Sequence, residues 1–267
     1  PSPKSVRIWS AVCTMLARPP LPIAETRCLS VAWEMWQNGN LLVPHLNGMP
    51  YSHKPPLLYW LILAGWKVFG VNEWWPRLLP PLFALGSVFM TLLFARRLWP
   101  QRREIPDYAS HLLLGSTLWA LWTTVVMYDM LIVFFFLLSL LFLHCLADGK
   151  IFAWIPAGLS LGLGLLSKGP VVLLPFVLVA LSAPWWRRKE ISGGWFGYSV
   201  GIILTLVVAA ALALSWALPA AQIGGADYGE AILWGQTTKR MIESFAHQQP
   251  WWWYLPLIPA RLFPWTI

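Results

Sequence analysis

The sequence has 267 residues, of which 58% are hydrophobic and only 11% are charged. An ordinary soluble domain has about 25% charged residues, so this composition excludes a soluble globular protein and a disordered chain. The mean hydropathy is +0.59, and long uncharged stretches separate the charges, which is typical of an integral membrane protein. The net charge of +8 lies mainly in short loops, so it indicates membrane orientation and no nucleic-acid partner.

The chain contains three cysteines and ends within an apolar stretch. Three cysteines at positions 13, 28 and 145 form no CxxC pair, so neither a disulfide framework nor a zinc finger is indicated. The chain starts at Pro1 and stops at Ile267 inside an apolar stretch. We therefore expect it to be truncated at both ends.

Segment 18–77 comes before the first clear span and contains two helical stretches. From Glu25 to Gln37, apolar side chains recur at helical spacing, and Gly39 is well placed to end the helix. The predicted apolar face consists of Leu29, Ala32, Trp33 and Trp36. A second stretch runs from Pro55 to Gly70 and is too short to cross a bilayer. The pattern predicts a first extracytoplasmic loop with two interfacial amphipathic helices.

Six uncharged runs then follow at nearly regular intervals. The first five have roughly the 17 to 25 residues that a helix needs to cross a hydrocarbon core, and the sixth is longer. The runs are 78–95, 108–128, 130–147, 151–167, 169–186 and 191–226. A further span is predicted near Trp251, whereas 8–17 is too short to cross alone. The sequence therefore predicts an all-α integral membrane protein, folded as a multi-span helical bundle.

Basic residues follow every second span and set the predicted orientation. They are Arg96, Arg97, Arg102, Arg103, Lys150, Arg187, Arg188 and Lys189. Short basic loops stay in the cytoplasm, so the remaining connections lie on the opposite side. These connections are the loop 18–77, the turns at 128–129 and 167–170, and a second extracytoplasmic loop at 219–250. The unusual polar residues therefore share the non-cytoplasmic side.

Several of these polar residues allow both a structural and a functional interpretation. Asp129 is the only Asp, Glu, Lys or Arg between Asp107 and Asp148, and it is either a helix cap or a functional carboxylate. Lys54 and Lys168 either bind a phosphate or extend to lipid headgroups. The remaining candidates are His53 beside Lys54, His247 as a metal ligand or donor, and Glu25 with Arg27 as a functional or capping pair.

The first loop resembles that of the bacterial lipid-linked glycosyltransferases of the GT-C group, which includes protein O-mannosyltransferases and aminoarabinose lipid A transferases. The resemblance rests on Glu25-Thr26-Arg27, Trp33-Glu34-Met35, Gly39-Asn40, Val43-Pro44, Leu46-Asn47-Gly48, Tyr51 and Lys54-Pro55-Pro56 through Trp60. Three later stretches fit in the same order, namely the Asp129 turn, 167–170 and 244–256. Residues 1–267 would form a GT-C-like transmembrane catalytic domain, without the further spans and the soluble domain that family members have.

The resemblance implies transfer of a sugar from a polyprenyl-phosphate donor to a lipid, glycan or protein acceptor. The reaction would occur at the periplasmic face of the bacterial inner membrane, among membrane lipids and without a nucleotide sugar. The implied catalytic residues are Asp129 and Glu25. The implied substrate-binding residues are Arg27, Lys54, His53, Tyr51, Lys168 and His247. A divalent metal is left open as a cofactor.

The first-loop motif departs from the family pattern at two positions. Family members usually have an aspartate where this chain has Ala24 and a tyrosine where it has Cys28. This departure leaves a second hypothesis, a non-catalytic paralogue that still binds polyprenyl phosphate. A third hypothesis is a multi-span transporter, which would place polar groups near the middle of its spans. The spans here are poor in such groups.

Overall fold

The computed structural model describes residues 19–186, 191, 194–239, 250–256, 258–259 and 263–265. Two short strands, β1 (His45–Leu46) and β2 (Met49–Pro50), form an antiparallel hairpin in the first loop. The helices are α1 (Ala24–Asn38), α2 (Leu57–Phe69), α3 (Trp74–Leu98), α4 (Glu104–Gly115), α5 (Thr117–Thr123), α6 (Asp129–Ala147), α7 (Trp154–Lys168), α8 (Leu173–Leu181), α9 (Ala183–Trp186), α10 (Gly194–Gly224) and α11 (Ala226–Glu230). Short 3-10 turns cover Ile151–Ala153, Pro170–Val172 and Trp251–Tyr254, and a π-helical segment covers Ala231–Lys239.

Both helices predicted in the first loop are present. Helix α1 ends where Gly39 adopts a left-handed conformation with φ 65°, which a residue without a Cβ takes at little cost. Helix α2 begins after Pro56 and ends before Gly70, whose φ is 75°. The carboxylate of Glu34 accepts hydrogen bonds from the N–H groups of Asn47 and Gly48 at 2.6 and 3.0 Å. This contact ties the turn of the hairpin to α1.

The buried face of α1 differs from the predicted apolar face. Cys28, Val31, Ala32 and Met35 are buried in the bundle, together with Glu25. The two predicted tryptophans, at positions 33 and 36, are instead 42% and 37% exposed, and both contact the ring of Trp66 edge to face. Smaller side chains allow close packing against α2, whereas the indoles lie on the outer side, where an amphipathic ring suits a membrane interface.

Four helical segments among the described residues are long and apolar enough to cross a membrane. They are Trp74–Leu98, Asp129–Ala147, Ile151–Lys168 and Gly194–Gly224. These segments agree with the predicted spans at 78–95, 130–147, 151–167 and 191–226. The last helix continues through Pro219, so residues 219–224 of the expected second extracytoplasmic loop are helical.

Two other predicted spans are not continuous helices. The run 108–128 is divided between α4 and α5 at Ser116, which is extended with ψ 125°. The run 169–186 consists of a 3-10 turn, α8 and α9, with a break at Ser182. Pro184 follows that break and has no N–H for a helical hydrogen bond. The absence of charge predicted the apolar character of both runs but carried no information on where the helices break.

Helices α7 and α10 pack closely because of two glycines one turn apart. A Cβ atom at Gly158 would lie 2.6 Å from Cβ of Val208 and 2.8 Å from the carbonyl oxygen of Thr205. At Gly162 it would lie 2.8 Å from a methyl group of Leu212. Small residues spaced in this way allow helix backbones to approach each other in membranes. The contact fixes the position of α7, which ends at Lys168.

The described basic loops and the first loop lie at opposite ends of the bundle. The guanidinium of Arg97 donates to Sγ of Cys145 at 2.6 Å, so the loop after α3 lies at the end of α6 that Lys150 follows. At the other end, the indole N–H of Trp216 donates to the carbonyl oxygen of Leu42 at 2.9 Å. The third predicted basic loop, at 187–189, lies outside the described residues.

This arrangement predicts which positions can be labelled from each side of the membrane. A cysteine in place of the exposed Met49 or Ala226 should react with an impermeant thiol reagent applied from the periplasm, whereas one at Gln101 should not. Met49 and Ala226 are substituted in place of the adjacent Gly48 and Gly225, because both glycines have positive φ. The measurement is labelling of intact cells in a background without Cys13, Cys28 and Cys145. Equal labelling of all three positions would contradict the orientation.

Candidate active site

Asp129 and Lys168 form an ion pair at one end of the bundle. Asp129 begins α6 and Lys168 ends α7, and since these neighbouring helices run antiparallel, their two ends meet. Nζ of Lys168 lies 2.5 Å from Oδ1 of Asp129, and the lysine and aspartate side chains are 30% and 24% exposed. The sequence singled out each residue separately, but it did not predict that they pair.

The other carboxylate oxygen of Asp129, Oδ2, has a different environment. Oδ2 is buried and has no hydrogen-bond partner among the described residues. Asp129 is the first residue of α6, whose N-cap is Tyr128, and the hydrogen bond of its Oδ1 comes from Lys168. A half-buried carboxylate with one paired oxygen, at the positive end of a helix dipole, is suited to a chemical role.

Tyr128 directly precedes Asp129 and connects it to the first loop. Its hydroxyl shares a hydrogen bond with the hydroxyl of Tyr59 in α2, and Sγ of Cys28 donates to it at 3.6 Å. Burial raises the pKa values of Tyr59 and Tyr128 well above their usual range. Both phenols therefore stay neutral at physiological pH and keep their hydroxyl protons. Sequence reasoning missed this pair, because its members are 69 residues apart.

Two cations of the first loop lie near the same cluster. Nζ of Lys54 lies 5.6 Å from the centre of the Tyr128 ring, which is within the range of a cation–π contact. Burial raises the pKa of the Cys28 thiol, while the bond to Tyr128 and the positive charges of Arg27 and Lys54 act in the opposite direction. Lys54 therefore lies over the Tyr128 ring, and Arg27 adjoins Cys28 in α1.

The remaining predicted residues lie around this cluster or beyond the described chain. The rings of Tyr51 and His53 stack with their centres 5.1 Å apart. Tyr51 is 8% exposed, whereas His53 is exposed. His247 lies outside the described residues. In the part of the chain that is described, no three His, Cys, Asp or Glu side chains are grouped so that they could hold a metal.

Glu25 is buried against the turn that leads to Asp129. Its side chain is 1% exposed. Oε2 accepts a hydrogen bond from the N–H of Leu21 at 2.7 Å, and Oε1 accepts one from the N–H of Val126 at 2.8 Å. The sequence suggested either a catalytic carboxylate or a surface cap. The observed contacts instead join the start of α1 to the segment between α5 and α6.

Comparison with known proteins assigns the chain to a family. The profile described as dolichyl-phosphate-mannose-protein mannosyltransferase matches residues 53–216, which cover Lys54, Asp129 and Lys168. The chain belongs to this mannosyltransferase family. The match confirms the resemblance that the first loop indicated, and it covers all four long helical segments, up to Trp216 in the last.

Curated relatives of the chain have a more specific name. An undecaprenyl phosphate-alpha-4-amino-4-deoxy-L-arabinose arabinosyl transferase of Pseudomonas fluorescens Pf-5 is 34% identical over 250 residues. The corresponding transferase of Pseudomonas aeruginosa PAO1 is 34% identical over 252 residues. Each alignment covers 91% of this chain and 44% of the relative. The chain therefore spans less than half the length of these relatives.

Solved structures support the fold of the mannosyltransferase family. The crystal structure of ArnT from Cupriavidus metallidurans bound to undecaprenyl phosphate is similar with a TM-score of 0.78. The apo crystal structure of the same protein gives a TM-score of 0.65. Sequence identity is 20% in both cases, and the similarity covers 98% of this chain and 48% of that one. The fold is therefore that of a multi-pass helical membrane protein of the GT-C type.

Proposed function

We propose that this chain is the membrane-embedded part of a glycosyltransferase. It transfers a sugar from a polyprenyl-phosphate carrier to a lipid, glycan or protein acceptor. The observation that carries the proposal is the paired Asp129 and Lys168 beside Tyr128, over which Lys54 lies. A carboxylate for the acceptor and cations for a phosphate thus meet at one end of the bundle. The names of the relatives, which specify an undecaprenyl phosphate-linked aminoarabinose, support this substrate class.

The reaction is a displacement at the anomeric carbon of the sugar. The acceptor oxygen forms a new bond to this carbon, and the bond from the carbon to the carrier phosphate breaks. Asp129 orients the acceptor and takes its proton, which is the role of a general base. The leaving phosphate gains negative charge, and Lys54 and Arg27 stabilise it electrostatically. Attack opposite the leaving group inverts the anomeric configuration.

Lys168 has a second part in this scheme. An ammonium group has three N–H donors, and the ion pair with Asp129 uses one of them. The other two make no hydrogen bond within the described part of the chain. They can bind the donor substrate, so Lys168 is a substrate-binding residue that also fixes the carboxylate. Tyr51 and His53 form a stacked pair that contacts the carrier or its sugar. His247 completes the proposed set from the second extracytoplasmic loop, where it is either a donor to substrate or a metal ligand.

The active site faces the periplasm of a bacterial inner membrane in this proposal. The paired Asp129 and Lys168 lie at the end of the bundle that carries the first loop, whereas Arg97 and Lys150 lie at the other end. Short basic loops are retained in the cytoplasm. The carrier-linked sugar and its acceptor therefore meet on the opposite side, where nucleotide sugars are absent.

Replacing Lys54 by alanine should weaken binding of undecaprenyl phosphate by about 10- to 100-fold, because a hydrogen bond to a charged group contributes roughly 1.5–3 kcal/mol. The measurement is carrier binding by the purified protein in detergent, with and without the substitution. Lys67→Ala is the matched control, since Lys67 is exposed in the last turn of α2. Equal losses in both variants would mean that Lys54 makes no specific phosphate contact.

A further inference from the structure

The segment between α5 and α6 has a buried backbone amide that a side chain of the first loop satisfies. Val126 is 1% exposed, and its N–H donates to Oε1 of Glu25 at 2.8 Å. A buried N–H without a partner is costly, so this contact strongly favours one position of the segment. Three residues later the same segment delivers Asp129 to the active site.

The geometry of Glu25 does not suit contact with a substrate. Each carboxylate oxygen accepts a backbone N–H, from Leu21 and from Val126. The side chain is 1% exposed, so an acceptor hydroxyl has no path to it. Asp129, in contrast, is 24% exposed and has one oxygen without a partner among the described residues. Of the two predicted catalytic carboxylates, Asp129 is the more exposed, although its unpaired oxygen Oδ2 is itself buried.

We infer that Glu25 is a positioning residue that sets the place of Asp129 and Tyr128 through the amide of Val126. Its second bond, to Leu21, fixes the start of α1, so the first loop and the turn before α6 keep one relative position. Lys54 then keeps its place over the ring of Tyr128, the residue before Asp129. The inference rests on the proposed function, because it assigns Glu25 a part in the transfer reaction.

Glu25→Gln tests this role with little change in shape. The side chain of glutamine has one acceptor oxygen, whereas that of glutamate has two. Glutamine can therefore accept the N–H of Leu21 or that of Val126, but it cannot offer a separate oxygen to each, as Glu25 does. Amide hydrogen exchange over residues 124–128 should become at least about tenfold faster. The kcat of transfer should fall by about 10- to 100-fold through misplacement of Asp129. The acid limb of the pH–rate profile, which is the loss of rate at low pH that a general base produces, should remain.

Glu34→Gln is the matched control. Glu34 also accepts two backbone N–H groups within the first loop, from Asn47 and Gly48, but it is not joined to the Asp129 turn. Exchange over 124–128 and transfer should stay at the parental level in this variant.

The outcomes separate this inference from the proposed function. Loss of the acid limb in Glu25→Gln, with exchange over 124–128 unchanged, would identify Glu25 as the base and overturn the positioning role. Unchanged exchange and unchanged transfer would also overturn it. A parent protein that binds carrier but transfers no sugar would count against the proposed function alone, because faster exchange in Glu25→Gln would still establish the link to Val126.

Discussion

Replacing Asp129 by asparagine should lower sugar transfer by about 10²- to 10⁴-fold and leave the fold intact. The amide is nearly isosteric with the carboxylate, and its oxygen can still accept a hydrogen bond from Lys168. It has no negative charge, however, and cannot take a proton from the acceptor. The lysine is 30% exposed, so solvent can hydrate its ammonium when the ion pair is lost.

The measurement is transfer from a polyprenyl-phosphate sugar, with thermal unfolding of the same samples as the test of folding. Asp227→Asn is the matched control, because Asp227 is an exposed carboxylate in the first turn of α11. Carrier binding should change little in Asp129→Asn, since Lys54 and Arg27 remain. Full transfer by this variant would remove Asp129 from the chemistry and leave it a structural partner of Lys168.

Replacing Ala24 by aspartate should raise transfer by about 10²- to 10⁴-fold, because a second carboxylate would help to orient the acceptor whose proton Asp129 takes. The family that the sequence resembles usually has an aspartate at this position. Glu25 is adjacent but cannot replace it, because neighbouring side chains on a helix point about 100° apart and both oxygens of Glu25 bind backbone amides. The parent chain should therefore bind the carrier and transfer sugar slowly.

Thr26→Asp is the control for this gain. Thr26 is exposed in the first turn of the same helix, so the substitution adds the same charge without placing it at the family position. The parent, Ala24→Asp and Thr26→Asp are compared in one transfer assay, at carrier concentrations that give the same occupancy in each protein. A fully active parent that gains nothing from Ala24→Asp would mean that Asp129 suffices as the base, and the hypothesis of a non-catalytic paralogue would be wrong.

The fold was largely predictable because membrane spans leave a simple pattern in the sequence. An uncharged run of the right length predicted each of the four long helical segments, and glycines marked the ends of α1 and α2. The divided runs at 108–128 and 169–186 were not predicted as such. Their breaks at Ser116 and Ser182 lie inside uncharged runs, and the length of an uncharged run does not show where a helix breaks.

The members of the site were more predictable than their contacts. Isolated charges between apolar segments are costly, so they are candidates for a functional role. This criterion identified Asp129, Lys54 and Lys168. That Asp129 and Lys168 pair follows from the antiparallel course of α6 and α7, which the alternating loops already implied. The burial of Glu25 did not follow from any local pattern, because its partner Val126 is 101 residues away and an exposed helix start would have the same sequence.

The bond between Trp216 and Leu42 has a consequence for biogenesis, since its partners are 174 residues apart. At a synthesis rate of about 5–20 residues per second, the ribosome needs roughly 10 to 35 seconds to make the intervening chain. The first loop therefore crosses the membrane well before α10 exists, and it cannot dock fully until that helix has been inserted. The surface proposed to receive the carrier is consequently one of the last parts of this chain to assemble.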